Sequence, residues 1–295
     1  MSFALDCKKE MIQATRQRRE IYLLGLGMLA SCKIDDEKLI FTTTNKEVND
    51  YFVHLLTDYF YFKYKTIDKR MNNILSTYQT EIALSDYNQV KDKTIKDDEK
   101  ERFAYLAGLF IARGSVNDPA TTKYHLEFSL SSSDVALNAL NFINSHQIEF
   151  NAKIAKRREK YIIYIKDAEK IVDILRLLGA QSNAFKFEDI RIERDFSNSI
   201  NRLVNCEIAN EKKALEAARE QLKYIHYLEY NYPLEKIDIK TLTIMKERLD
   251  HPDATSVELI EILKEKYGIN ISKSGISHRF NKIKEMALDH QKKSQ

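Results

Sequence analysis

The sequence predicts an α+β N-terminal domain built from two degenerate repeats, followed by an all-α helix-turn-helix domain. Three observations predict it. At 295 residues the chain is long for one domain and short for three. Two sequence blocks recur in the same order within its first two thirds. From residue 239 to the end the sequence reads as three helical segments. Hydrophobic residues make up 43% and charged residues 31%, the balance of an ordinary globular protein with a sizeable core.

The recurrence places the first elements. Ile21-Tyr22-Leu23-Leu24-Gly25-Leu26 is echoed by Ala104-Tyr105-Leu106-Ala107-Gly108-Leu109, an offset of 83 from residue 21 to residue 104. Leu39-Ile40-Phe41-Thr42-Thr43-Thr44 is echoed by Leu126-Glu127-Phe128-Ser129-Leu130-Ser131, an offset of 87. A loop insertion accounts for the difference, and two copies related by a pseudo-two-fold follow. The second copy opens with a helix over 99–114, where Phe103, Leu106, Ala107 and Phe110 recur at three and four residues. Gly114-Ser115 and the turn Asn117-Asp118-Pro119 break it. Residues 124–130 alternate as a strand, and Ser131-Ser132-Ser133-Asp134 caps a helix over 135–144. Residues 152–157 and 160–165 read as a tight hairpin, and 168–178 as a helix stopped by Gly179.

Residues 198–229 form a further helix that ends before Pro233. Three helices follow, over 239–249, 256–267 and 272–288. The last two, separated by GINI, fit a helix-turn-helix whose first helix buries Val257, Ile260, Leu263 and Tyr267. The second buries Ile276, Phe280 and Ile283. The expected domains are therefore 1–95 and 96–198 for the copies, 199–235 for a helical linker and 236–295 for the C-terminal domain, with its motif at about 255–288.

A net charge of +3 identifies no partner, but its distribution does. Residues 8–19 carry Lys8, Lys9, Arg16, Arg18 and Arg19 against Glu10; residues 153–160 carry Lys153, Lys156, Arg157, Arg158 and Lys160 against Glu159. Residues 273–284 carry Lys273, Arg279, Lys282 and Lys284 and no acid. Any one cluster reads as a solvated face, whereas three form a basic stripe if folding brings them to one side. In the last helix, Ser272, Lys273, Ser274 and Gly275 offer a helix N-terminus to phosphate. Ser277, His278, Arg279, Lys282 and Lys284 follow as candidate base and backbone contacts. His278 has no His or Cys at ligand spacing, so a metal role is not expected of it. The scattered Cys7, Cys32 and Cys206 suggest neither a disulfide framework nor a zinc site, and fit a reducing cytoplasm. Neither a secretory leader nor a membrane span is expected; the densest apolar run, 21–30, is too short.

Residues 106–114, LAGLFIARG, resemble the nonapeptide of the LAGLIDADG homing endonucleases. The resemblance implies two helices packed through small residues (Gly25, Ala107 and Gly108 here), each delivering an acid to a metal-dependent cleavage site. It puts Arg113 at that acid position, and alignment of residues 23–31 puts Ala30 there in the first copy. Phosphodiester hydrolysis through divalent metals needs anionic oxygen ligands, so neither a bound metal, a cofactor nor catalysis is expected. Asp118, Asp35 and Asp36 lie beyond the helix ends, in turn contexts.

The whole chain resembles the WhiA family of bacterial sporulation and cell-division regulators. The resemblance is carried by RGSVNDP (113–119), YHLEFSLSS (124–132), NRLVNCEIAN (201–210), HPDA (251–254) and ISKSGISHR (271–279). It implies two degenerate LAGLIDADG-type αββαββα repeats tethered to a helix-turn-helix like the promoter-reading domain of sigma factors. It also implies a non-enzymatic role in transcription, cell division or chromosome segregation, on the nucleoid. Double-stranded DNA is the expected partner, with RNA polymerase and its sigma factor or division and segregation proteins beside it. Where relatives often carry Gly before Gly114, this chain has Arg113. The competing readings are an interaction scaffold whose DNA binding is secondary, and an active nuclease or intron maturase.

Overall fold

The computed structural model describes residues 2–71, 75–93, 95, 98–121 and 123–293. Its first helices are α1 (Phe3–Gln13) and α2 (Arg18–Ala30). The hairpin β1 (Lys33–Asp35) and β2 (Lys38–Thr43) follows, then α3 (Lys46–Leu55), which runs into a π-helical turn, Leu56–Phe60. A second hairpin, β3 (Tyr64–Met71) and β4 (Leu75–Ala83), and the short α4 (Leu84–Asn88) complete the first copy. The second copy comprises α5 (Glu99–Arg113), β5 (Gly114–Val116), β6 (Leu126–Leu130) and α6 (Ser133–Asn144). It ends with β7 (Lys153–Arg157), β8 (Lys160–Ile165) and α7 (Ala168–Leu178).

The two sheets have the same topology. The strand orders are β1-β2-β4-β3 and β5-β6-β8-β7, all antiparallel. Period-two alternation explains the core. Leu39, Phe41 and Ile82 of the first sheet face inward, as do Leu126, Phe128, Leu130, Ile163 and Ile165 of the second. The first inner face packs on α3 and the second on α5 and α6, within one core that also takes in α2. The predicted hairpin of 152–157 and 160–165 and the Ser132 cap, whose side chain accepts from the Val135 amide, are present. β5 is a strand that the periodicity reading lacks. It follows α5 without an intervening turn and is only three residues long, too short for alternation to register.

The helix predicted to start at residue 198 starts at Gln181 and runs to Asn231 as α8. Its first turns carry Ala184 and Phe187 into the core. The N-terminus is capped from a distance: both Ser182 and Asn183 backbone amides donate to the Glu10 carboxylate, at 2.5 and 2.9 Å. A cap supplied from α1 leaves no local signature. The remaining helices are α9 (Ile239–Asp250), α10 (Ser256–Tyr267) and α11 (Lys273–Lys293).

Two compact units result, Met1–Phe196 and Ser197–Gln295, the division falling within α8. The second unit has its own core of Ile225, Leu228, Ile244, Met245, Leu259, Leu263, Ile276, Phe280, Ile283 and Ala287. Ile276, Phe280 and Ile283 are buried as the spacing predicts. On α10 the expectation fails in part: Leu259 and Leu263 are the buried pair, while Val257 and Tyr267 are exposed. Tyr267 looks apolar in the pattern but spends its hydroxyl on buried Glu247, at 2.7 Å, and leaves its ring at the rim. Among the described residues no helix is long and apolar enough to cross a membrane.

Candidate nucleic-acid interface

The first unit is organised around the α2–α5 pair, and the approach of these helices is reciprocal. A Cβ on Gly27 would stand 2.1 Å from the Tyr105 carbonyl oxygen, and one on Gly108 would stand 1.9 Å from that of Leu24. Each glycine thus faces the carbonyl three residues before the other glycine. Gly25, expected at this contact, instead faces the Phe60 ring, 2.6 Å from where its Cβ would be. The structural pseudo-two-fold therefore relates Gly27 to Gly108, and β1 to β5, by 81 residues rather than 83. Under that register the counterpart of Arg113 is Cys32, not Ala30.

Neither position holds a carboxylate. The Cys32 thiol donates to the Met28 carbonyl at 3.3 Å, and burial pushes its pKa up to about 12, so it stays neutral. Arg113 donates from Nε to the Ser31 carbonyl at 3.3 Å, bridging the C-terminal ends of both helices. A cation there suits the negative ends of two helix dipoles. Burial, reinforced by the Arg113 charge, lowers Lys8 to about 8. Asp118 accepts from the Ala120 amide at 2.9 Å, closing its own turn; Asp35 pairs with Lys33, and Asp36 occupies a left-handed turn position. Among the described residues no three His, Cys, Asp or Glu side chains gather where they could hold a metal.

The two sheets turn their other faces outward. In β7, Lys153, Ala155 and Arg157 share a face with Tyr164, Ile162 and Lys160 of β8. Lys156 points the opposite way and lays its ammonium over the Tyr161 ring, 5.7 Å from the centroid. Arg158 sits at the turn in a left-handed conformation. The four cations expected to act together are thus divided by strand parity. The open face of the other sheet carries residues the sequence reading passed over: Lys33, Lys38, Lys65 and Lys69, around Glu81. Lys38 reaches Glu81 at 2.9 Å and Lys69 reaches Gln79 at 2.9 Å. The signal for them was present in the spacing Lys65-x-Ile67-x-Lys69.

The cluster at 8–19 is not a stripe at all. Lys9 pairs with Glu47 at 2.8 Å, and Arg16 donates to the carbonyls of Met11 and Leu178. Arg19 pairs with buried Glu101, and Arg18 lies over Tyr59. Tertiary contacts consume these charges.

In the second unit α10 begins with a capping box between Thr255 and Glu258 and ends at Gly268 in the left-handed region, φ 63°. The break sets α11 in place. Ser272 caps it through Gly275 N–H at 3.1 Å, and Ser277 donates back to the Lys273 carbonyl at 2.9 Å. Lys273, Ser274, Ser277 and His278 are exposed, and among the described residues Lys273 and His278 have no side-chain partner. Arg279 is not free. Its Nη1 donates to both Asp238 oxygens, at 2.8 and 2.9 Å, and to Thr241 Oγ1 at 2.8 Å, which ties α11 to the N-terminus of α9. Lys282 reaches the same Asp238 at 3.3 Å, and Lys284 pairs with Glu220 of α8 at 2.7 Å.

Beneath this face, Arg248 is buried, donates to the Ala254 carbonyl and lies 5.4 Å from the centroid of Phe280. Buried Glu247 accepts from Tyr267 and, at 3.0 Å, from Lys266. These contacts tie α9, α10 and α11 together.

The family described as the WhiA LAGLIDADG-like domain matches residues 102–197, and the WhiA C-terminal HTH domain matches 200–287. A protein of Enterococcus faecalis named "Probable cell division protein WhiA" is 34% identical over 315 residues, covering 100% of both chains. Its namesake in Latilactobacillus sakei is 41% identical over 227 residues, 73% of this chain and 70% of that one. The Lacticaseibacillus casei protein of the same name matches at 41% over 202 residues, which span 62% of its length. Full-length DUF199/WhiA of Thermotoga maritima shares the fold, with a TM-score of 0.60, 21% identity and 98% coverage of each chain. With the two-repeat first unit, the helix-turn-helix and relatives matched end to end all in agreement, the chain belongs to the WhiA family.

Proposed function

We propose that this protein is a sequence-specific DNA-binding regulator of transcription that acts in cell division and chromosome segregation, and that its first unit does not cleave DNA. The observation that carries the reading is the exposed start of α11. A helix N-terminus with Lys273 beside it suits a phosphate, and Ser274, Ser277 and His278 can reach base edges. Arg279 is committed to Asp238, so base reading rests on its neighbours, with Lys282 and Lys284 at the rim. The open sheet faces add sequence-tolerant contact through Lys153, Arg157 and Lys160 on one sheet and Lys33 and Lys65 on the other. The absence of cleavage rests on Cys32 and Arg113, which offer no anionic oxygen to a metal.

In this reading the protein works in the cytoplasm on the nucleoid. RNA polymerase with its sigma factor, or division and segregation proteins, are its protein partners. A scaffold role is favoured by one feature: the end of α9, the loop after it and α10 line a groove with Asp250, Asp253, Glu258, Glu261 and Glu265. That surface repels DNA and suits a basic protein.

The test is binding to duplex DNA across salt, after mapping bound loci genome-wide. Each lost phosphate contact reduces the slope of log K against log salt by about 0.9. Lys273→Ala is expected to do so for all sequences, and Ser277→Ala with His278→Ala to erode preference for the mapped site. Unchanged slope and preference in these variants would refute the reading. Plasmid incubated with magnesium stays intact; nicking that Asp118→Asn abolishes would refute the no-cleavage part.

A further inference from the structure

Between the first turns of α8 and its C-terminal turns, residues 196–213 are exposed on every side, yet this stretch is not polar. Ile192 is 53% exposed, Phe196 67% and Leu203 63%. At 100° per residue, Ile192, Phe196, Ser199, Leu203, Cys206 and Asn210 fall within about 80° of arc. Their spacing of four, three, four, three and four is that of a coiled-coil seam, with Phe196, Leu203 and Asn210 at a and Ile192, Ser199 and Cys206 at d. Ile200 flanks the seam; Val204 and Ile208 lie off it. A helix that hides no face in its own chain does not expose such a seam without a partner.

We propose that residues 192–213 of α8 form a parallel two-stranded coiled coil with a second copy of this chain. Two features select a second copy. The first is charge. Arg202 falls at g and Glu207 at e, five residues on, the spacing at which g of one helix meets e of a parallel partner. Among the described residues Arg202 reaches only the Asn198 carbonyl and Ser199, and Glu207 has no partner. An antiparallel pair would bring like flanks together. The second is Asn210, since a lone Asn at a specifies register and two strands when it meets its own copy. Cys206 is free and exposed at d, with Asn210 Nδ2 3.7 Å from its sulfur on the same face. In the parallel register the two Cys206 residues meet across the seam.

The experiment is sedimentation velocity on the full chain from 1 to 50 μM, with oxidation by copper phenanthroline read on a non-reducing gel. Cys7 and Cys32 are buried, so the dimer is expected to cross-link through Cys206 and to lose the cross-link in Cys206→Ser. Leu203→Asp is expected to weaken association at least 100-fold, and Arg202→Glu about tenfold, the latter recovered by adding Glu207→Arg. These side chains are solvent-exposed in the single chain, so circular dichroism at the concentrations where each variant is monomeric is expected to match wild type. A monomer at 50 μM overturns the proposal. So does a dimer that survives Leu203→Asp, or one that Cys206 does not cross-link.

Discussion

Asp238 is the joint through which α9 and α11 are held, and Asp238→Asn tests how much of the recognition face depends on it. Burial alone would raise its pKa, but the Thr241 backbone amide, the Thr241 hydroxyl, Lys282 and Arg279 outweigh burial and bring it down to about 2, from 3.8. A carboxylate lowered in the folded state contributes stability that is complete above the unfolded value and is lost as pH falls through the folded one. The window is therefore pH 4 down to 2. Full expression of that lowering would be worth about 2.5 kcal/mol. The side chain is 42% exposed, so solvent screening reduces this to about 1 kcal/mol. Asparagine still accepts the Thr241 amide, which isolates the charge. Amide exchange in α9 reads the second unit directly, and about 1 kcal/mol corresponds to roughly fivefold faster exchange in the variant at pH 6, converging on wild type near pH 2. Equal protection at pH 6, or a difference that persists undiminished into acid, would refute the joint.

Arg279→Ala, removing the partner on α11, is expected to loosen α9 by about 1 kcal/mol in the same exchange assay. It should leave preference among DNA sites unchanged; a relaxed preference would return Arg279 to base reading. Gly108→Ala drives a methyl into the Leu24 carbonyl and is expected to cost about 3 kcal/mol in urea unfolding of the first unit. Gly25→Ala meets only the edge of the Phe60 ring and should cost about 1 kcal/mol; the reverse order would contradict the 81-residue register. Thr255→Ala removes half of a capping box and is expected to cost about 1 kcal/mol, read as faster exchange at the start of α10. Arg157→Ala is expected to reduce the salt slope of DNA binding while Lys156→Ala does not, because strand parity places them on opposite faces.

The helices and hairpins of the second copy were legible because their signals are local. Ser132 caps the helix that follows it, and Gly179 ends its own in a left-handed conformation. The basic clusters were legible only as composition. Whether a cation is free depends on acids far away in sequence: Glu47 and Glu101 remove Lys9 and Arg19 from the surface field, and Asp238 removes Arg279. Face is a further step that charge counting omits. Lys153 and Lys156 differ by an odd number of residues, so a strand must separate them, and assigning the segment to β7 would have been enough to foresee it.

The misplacement of the acid position has a different cause. In α2, Gly25 and Gly27 lie two residues apart, and apolar similarity alone aligns the first of them with Gly108. Two residues turn a helix by about 200°, so only one of these glycines can face α5. The choice is made by the partner: Gly27 finds the Tyr105 carbonyl, and Gly25 is left to accommodate Phe60. The strands agree with that choice, because Lys33 and Gly114 begin β1 and β5 at the same 81-residue spacing. Shifting the register by two leaves the chemistry where it was, since Cys32 at a pKa near 12 provides no more of an anion than Ala30. It does change what a rescue would require: Cys32→Asp with Arg113→Asp, not Ala30→Asp, is the pair that would face each other at the helix ends. Manganese that stabilises this double variant against heating but leaves Ala30→Asp with Arg113→Asp unchanged would be the expected signature; the opposite preference would restore the 83-residue alignment.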